Sequence, residues 1–268
     1  MDKPIGQNWL LLRGLSRESA HWGNFPALLQ ARFPSDHVAC LDLPGSGEHF
    51  RKTSPNAIGA IVEHVRADAK RKDLLDRPLT LLGLSLGGMV AWEWASQHPD
   101  EVRALALINS SFASLSPFYR RLRWQNYPRL LDMALRQDLA GREHEILSWV
   151  CNRADCVEQT VALWTEIQRR RPVAFSATLN QLIAAARYRP AEAKPPQPIL
   201  LLNSQHDRLV DPACSRAIAD HWQLPLETHP WAGHDLPLDD GDWVVETLAT
   251  WRCKIKLRES VSEYSTNQ

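Results

Sequence analysis

The sequence predicts an α/β fold in which a doubly wound, mostly parallel sheet is covered by helices on both faces. Three observations predict it. Short apolar runs recur along the chain, they are near-continuous rather than alternating, and most are separated by stretches long enough for a helix. Continuous apolar strands are what a sheet buried on both faces requires, and helices between them supply the cover.

The first run is "WLLLRG" (9–14) and the second "HVACLDLP" (37–44). The third, "LTLLGLS" (79–85), follows Pro78 and passes into a mostly apolar helical run over 89–97 that stops before Pro99. "VRALALINSS" (102–111) is the fourth. The alternation then breaks: 112–195 reads as helical, poor in strand-like runs and rich in Arg and Trp. It carries twelve arginines against eight acidic residues, a basic insertion in a chain of zero formal charge. "AEAKPPQP" (191–198) ends it, because consecutive prolines disfavour helix. "PILLLNSQ" (198–205) and "LETHPWAGH" (226–234) complete the strands, and "DWVVETLATW" (242–251) is a closing helix. The expected organisation is a core of 1–111 and 196–253, a helical insertion at 112–195 and a loose polar tail at 254–268.

Composition narrows the function. Zero net charge, with basic bias confined to the insertion, argues against a nucleic-acid module. No run approaches the roughly 18 apolar residues of a membrane span. The N-terminal stretch enters its first strand without an apolar leader and small-residue cleavage site, which makes the cytoplasm the expected location. Five scattered cysteines, none in a C-x-x-C pair, read as free thiols. Cys151 and Cys156 have no second pair of ligands to accompany them, so no metal is expected.

Gly83-Leu84-Ser85-Leu86-Gly87 matches G-x-S-x-G between a strand and a helix. Glycines there permit a tight turn that lifts a serine hydroxyl out of the sheet; the plainer alternative is a serine that caps the helix. A serine is a poor nucleophile until a base takes its proton, and the base needs an acid to orient it. Both partners follow in the required order, at the ends of later strands. Asp207 follows "PILLLNSQH", and His234 lies in "PWAGHDLPL". Asp211 reads instead as an N-cap before Pro212. Asp235, Asp239 and Asp240 stand too close to His234 in sequence to be needed, and His206 reads as a neighbour rather than a base.

These residues resemble the α/β-hydrolase superfamily over nearly the whole chain, from Trp9 to Trp251. The matching pieces are "LLRGL", "CLDLPGSG", "GLSLGGMVAWEWASQHPDEVRALALINSS", "NSQHDRLV" and "AGH". Within the superfamily the chain is similar to esterases of pimeloyl-[acyl-carrier protein] methyl ester in biotin synthesis. The resemblance implies a serine hydrolase with 112–195 as a helical cap, an oxyanion hole from the backbone N–H groups of Leu15 and Leu86, and no cofactor. Two departures stand out: Arg13-Gly14 replaces the usual His-Gly, and Ser46 replaces a histidine in Asp42-Leu43-Pro44-Gly45-Ser46-Gly47.

The expected activity is carboxylic ester hydrolysis on a small acyl ester, with thioester hydrolysis or acyl transfer through the same acyl-serine as the alternative. A non-catalytic small-molecule-binding protein is the alternative outside enzymes. Trp124, Trp149 and Trp164 are candidates to line an acyl tunnel, against core packing of the insertion. Arg120, Arg121, Arg123 and Arg169 to Arg171 are candidates for docking an acidic acyl carrier protein, against solvated, locally paired helix faces. Arg13 is a candidate for a substrate carboxylate, against an ion-paired or surface arginine.

Overall fold

A computed structural model describes residues 6–135 and 138–266. Each apolar run contains a strand: β1 (Asn8–Leu12), β2 (His37–Leu41), β3 (Leu79–Leu84), β4 (Val102–Ile108), β5 (Ile199–Ser204) and β6 (Leu226–His229). They form one sheet in the order β2-β1-β3-β4-β5-β6, every pair parallel. The chain steps from β1 out to β2, then back across β1 to β3. That reversal makes the carboxyl ends of β1 and β3 the switch point at which α/β sheets bind ligands. Leu12 pairs with Gly83 there, so the loop opening at Arg13 lies alongside the turn carrying Ser85.

Alternate strand residues feed two cores. Leu10, Leu12, Leu79, Leu81, Leu105, Leu107 and Leu201 pack against α2 (Ile58–Arg71) and α3 (Leu86–Gln97), with α9 (Ala213–Trp222) joining through Ile218. Trp9, Leu11, Leu82, Leu84, Ala106, Leu200 and Leu202 point the other way, onto α1 (Phe25–Arg32) and the final helix α11 (Gly241–Thr266). Both faces are covered, which is why the runs read as continuous. β6 is shorter than its run because Pro230 has no N–H to continue the ladder, and the freed segment becomes the loop that carries His234.

The stretch expected to be helical holds α4 (Phe118–Arg121), α5 (Tyr127–Leu135), α6 (Leu139–Val150), α7 (Val157–Arg170) and α8 (Phe175–Arg187). α6 and α7 share a small core of Leu147, Trp149, Val150, Trp164 and Ile167. α8 instead packs on the main core through Ala184, with Tyr188 just beyond it. The tail corrects the expectation: α11 continues through Thr266, so 254–266 is helix rather than loose chain. Neither Gly nor Pro follows Gly241 to stop the helix, Lys254, Lys256 and Leu257 are good helix formers, and Ile255 packs against the second core. Among the described residues no helix is long and apolar enough to cross a membrane, and no three His, Cys, Asp or Glu residues are placed to hold a metal. All five cysteines are free thiols. Burial pushes the Cys40 thiol up to about 12 and the Cys214 thiol up to about 11.

Candidate active site

Ser85 has φ 56° and ψ −114°, a conformation that costs a non-glycine residue energy unless its surroundings hold it. Here they do. Its N–H donates to the Ile108 carbonyl at 2.8 Å, and its own carbonyl accepts the Ser110 hydroxyl at 2.9 Å and the Gly88 N–H at 3.0 Å. The turn can be this tight only because of its glycines. A Cβ on Gly83 would meet the Gly87 carbonyl, and one on Gly87 would meet the carbonyls of Leu12 and Arg13. Gly14 brings the neighbouring loop equally close: a Cβ there would lie 3.3 Å from the Ser85 Cβ. Leu15 follows on that loop, and Leu86 opens α3, where a first-turn N–H has no helical acceptor.

Asp207 and His234 are both buried and joined by a 2.7 Å hydrogen bond between Oδ2 and Nδ1. The second carboxylate oxygen, Oδ1, accepts the N–H groups of Leu209 and Val210 at 2.8 and 2.9 Å. One oxygen therefore fixes the acid and the other fixes the imidazole.

Two residues that sequence reasoning missed hold this arrangement. Asn109 closes β4 with φ 48°, a left-handed conformation that Asn tolerates. Its Nδ2 donates to the His234 carbonyl at 2.8 Å and the Ser204 hydroxyl at 3.0 Å, while its Oδ1 accepts the Ser204 N–H at 2.9 Å. The tripeptide 108–110 thus holds the backbones of both Ser85 and His234. Asp239, at the end of α10 (Leu236–Asp239), accepts the Gly233 N–H at 2.6 Å and the N–H groups of Asn152 and Arg153 after α6, fastening that helix end to the His234 loop. A polar residue just after a strand was the available signal for Asn109; Asp239 gave none.

Other expectations fare differently. Arg13 is buried and both of its Nη atoms donate to Asp235, so an ion pair, not a substrate carboxylate, satisfies it. Trp149 and Trp164 are buried in the core between α6 and α7, and Trp124 is 61% exposed. The packing alternative describes the first two. Arg121 is no docking residue: its buried guanidinium donates to the Ala185 and Ala186 carbonyls, the open end of α8. Arg169 and Arg170 pair with Glu166, and Arg171 with Glu18. Arg120 is exposed, with no carboxylate partner among the described residues, while Arg123 donates to the Asp207 carbonyl at 2.8 Å.

The loop after β1 also carries Arg17, whose Nη1 reaches Glu143 of α6 at 2.6 Å and lies 3.0 Å from His21 Nε2, and whose guanidinium carbon sits over the Trp164 ring. Burial first, and the Arg17 cation second, hold the His21 imidazole well below its usual value. In the unfolded chain that ring takes a proton as pH falls through its ordinary range, while the folded protein keeps it neutral, so stability declines with falling pH. Between about pH 7.5 and about pH 5.5, wild type is expected to lose about 1 kcal/mol more than His21→Gln, read from urea midpoints.

The family model described as alpha/beta hydrolase fold matches residues 10–240. Pimeloyl-[acyl-carrier protein] methyl ester esterase of Neisseria meningitidis serogroup C is 40% identical over 89 residues, 33% of this chain and 32% of that protein. The match thus spans about a third of that relative's length. The protein of the same name from Xylella fastidiosa is 27% identical over 237 residues, covering 80% of this chain and 84% of that protein. Among solved structures, the enol-lactonase from Burkholderia xenovorans LB400 shares the fold with a TM-score of 0.73 at 20% identity, over 92% of each chain. With a switch-point serine on a glycine-bounded elbow and the family match running from β1 to α10, the chain belongs to the α/β-hydrolase fold family.

Proposed function

We propose that this chain is a serine carboxylic ester hydrolase that works through an acyl-serine intermediate. The observation that carries the proposal is that 108–110 holds the backbones of both Ser85 and His234 while Asp207 holds the His234 ring. Ser85 Oγ attacks the acyl carbonyl carbon as His234 takes its proton, and the N–H groups of Leu15 and Leu86 receive the charge that develops on oxygen. His234 then gives the proton to the leaving alkoxide. Water, deprotonated by the same histidine, cleaves the acyl-enzyme to the acid and free Ser85.

The substrate proposed is pimeloyl-acyl carrier protein methyl ester. Two relatives bear that activity in their names, and Arg120, exposed beside Arg123 on the Arg-rich segment, offers a cation to an acidic carrier. The test is methyl-ester cleavage of the carrier-bound substrate against dimethyl pimelate, with wild type, Ser85→Ala and Arg120→Glu. Ser85-dependent turnover that is faster on the carrier form, and slowed there alone by Arg120→Glu, supports the reading. Equal rates on both substrates remove the carrier. Turnover of acyl thioesters but not methyl esters moves the assignment to thioester chemistry.

A further inference from the structure

Arg13 and Asp235 flank the proposed machinery, Arg13 two residues before Leu15 and Asp235 directly after His234. They are 222 positions apart and meet in a bidentate pair, Nη1 to Oδ1 at 3.1 Å and Nη2 to Oδ2 at 2.5 Å. Arg13 is 3% exposed and Asp235 2%. The guanidinium lies over the Trp22 ring at 4.7 Å, while its Nε is buried without a partner. On the other side, the Asp235 N–H donates to the Val150 carbonyl at 2.7 Å, and the Asp235 carbonyl accepts the Leu238 N–H at 2.9 Å. Asp235 is therefore anchored by backbone bonds to α6 and α10 as well as by the ion pair.

A buried ion pair gains little over apolar packing of the same shape, because desolvation of both charges offsets their attraction; what it adds is orientation. A guanidinium and a carboxylate meeting through two parallel bonds fix direction as well as distance, which the point charge of a lysine does not. Here the two ends so fixed are the loop that bears Gly14 and Leu15, packed against Ser85, and the loop that bears the base. The pair also neutralises the buried carboxylate of the residue that follows His234 in the chain, leaving Asp207 the one that orients the ring.

We infer that Arg13 is a positioning residue for ester hydrolysis, clamping the His234 loop to the oxyanion loop through Asp235 and cancelling that carboxylate's charge. The inference rests on the roles proposed for Ser85, Asp207 and His234. Charge gives it a signature that simple packing lacks. With Arg13 gone, the Asp235 carboxylate favours the protonated imidazole, which cannot accept the serine proton, so the acid limb of kcat/KM moves to higher pH. With the Asp235 charge gone, the guanidinium opposes that protonation and the limb moves to lower pH. The remaining charged or titratable groups about this loop stay in place in both variants. They are Asp207 on the His234 Nδ1, Asp239 of α10 on the Gly233 N–H, His229 on the Ala232 N–H with Asp240 at its Nε2, Arg123 on the Asp207 carbonyl, Cys151 after α6 on Asp239, Arg208 on the Cys151 carbonyl, and His21 near Arg13.

The test measures kcat, KM and the pH profile of p-nitrophenyl butyrate hydrolysis, with thermal melts, for Arg13→Met, Asp235→Asn, the double variant and Ser85→Ala. Each single variant is expected to lose about 10- to 100-fold in kcat with KM little changed. Arg13→Met moves the acid limb up and Asp235→Asn moves it down, each by about half a unit to one unit. The double variant, neutral again, returns the limb but, without the paired bonds that orient the two loops, stays about 10- to 100-fold slow in kcat. If the single variants melt early but keep the wild-type kcat and limb, or if the double variant regains the wild-type kcat, the clamp is overturned. Full activity in Ser85→Ala overturns the underlying serine reading and the clamp with it. An inactive Ser85→Ala beside wild-type behaviour at positions 13 and 235 removes the clamp alone.

Discussion

Ser85→Ala is expected to lower kcat on p-nitrophenyl butyrate by about 10⁴-fold or more, with a melting temperature close to wild type. The stability follows because the two hydrogen bonds that hold position 85 to 108–110 are made by its backbone, not its hydroxyl. Asp207→Asn is the sharper companion. An asparagine that kept its oxygen on the Leu209 and Val210 N–H groups would turn its NH₂ toward His234 Nδ1. The ring must then accept at Nδ1 and carry its hydrogen on Nε2, the tautomer that cannot take the serine proton. A loss of about 10⁴-fold is expected, with little change in KM. More than a tenth of wild-type activity in Ser85→Ala would end the acyl-serine proposal.

Gly87→Ala is expected to destabilise the fold, against its helix propensity. Gly87 lies in the first turn of α3, where alanine would ordinarily gain about 1 kcal/mol. Its Cβ would instead meet the carbonyls of Leu12 and Arg13, both backbone atoms at the end of a central strand. The helix start and the β1 loop must part, costing about 1–3 kcal/mol or more and moving Gly14 away from Ser85. Differential scanning calorimetry with an esterase assay reads both effects. A variant that melts above wild type would show the approach to be loose and the glycine dispensable.

The strands were legible because a sheet covered on both faces imposes the same demand at every position. β1, β3 and β5 are buried throughout, and the continuous apolar runs announce it. The glycines around Ser85 were legible for a related reason, since close backbone approach excludes every other side chain. What escaped were contacts between residues far apart in sequence. Nothing near Arg13 names Asp235, and nothing near Arg17 names Glu143. Counting arginines could not separate Arg121, which closes a buried helix end, from Arg120, which faces solvent. The start of the last helix was read correctly at 242–251, but its continuation past 254 was misread because polar composition suits a solvated helix as well as a loose chain, and Ile255 was too small a signal to decide between them.

Asn109 carries a consequence for which residues its position can accept. Aspartate has almost the same size and shape, so a volume criterion would pass it without comment. Its carboxylate would face the His234 carbonyl and the Ser204 hydroxyl oxygen where the amide now donates. Leucine, equally close in outline, would abandon the Ser204 N–H that Oδ1 now receives. The position needs a donor and an acceptor on one short planar group, in a left-handed backbone that branched residues avoid. Its alphabet is close to one letter, although Asn109 touches no substrate in the proposed reaction.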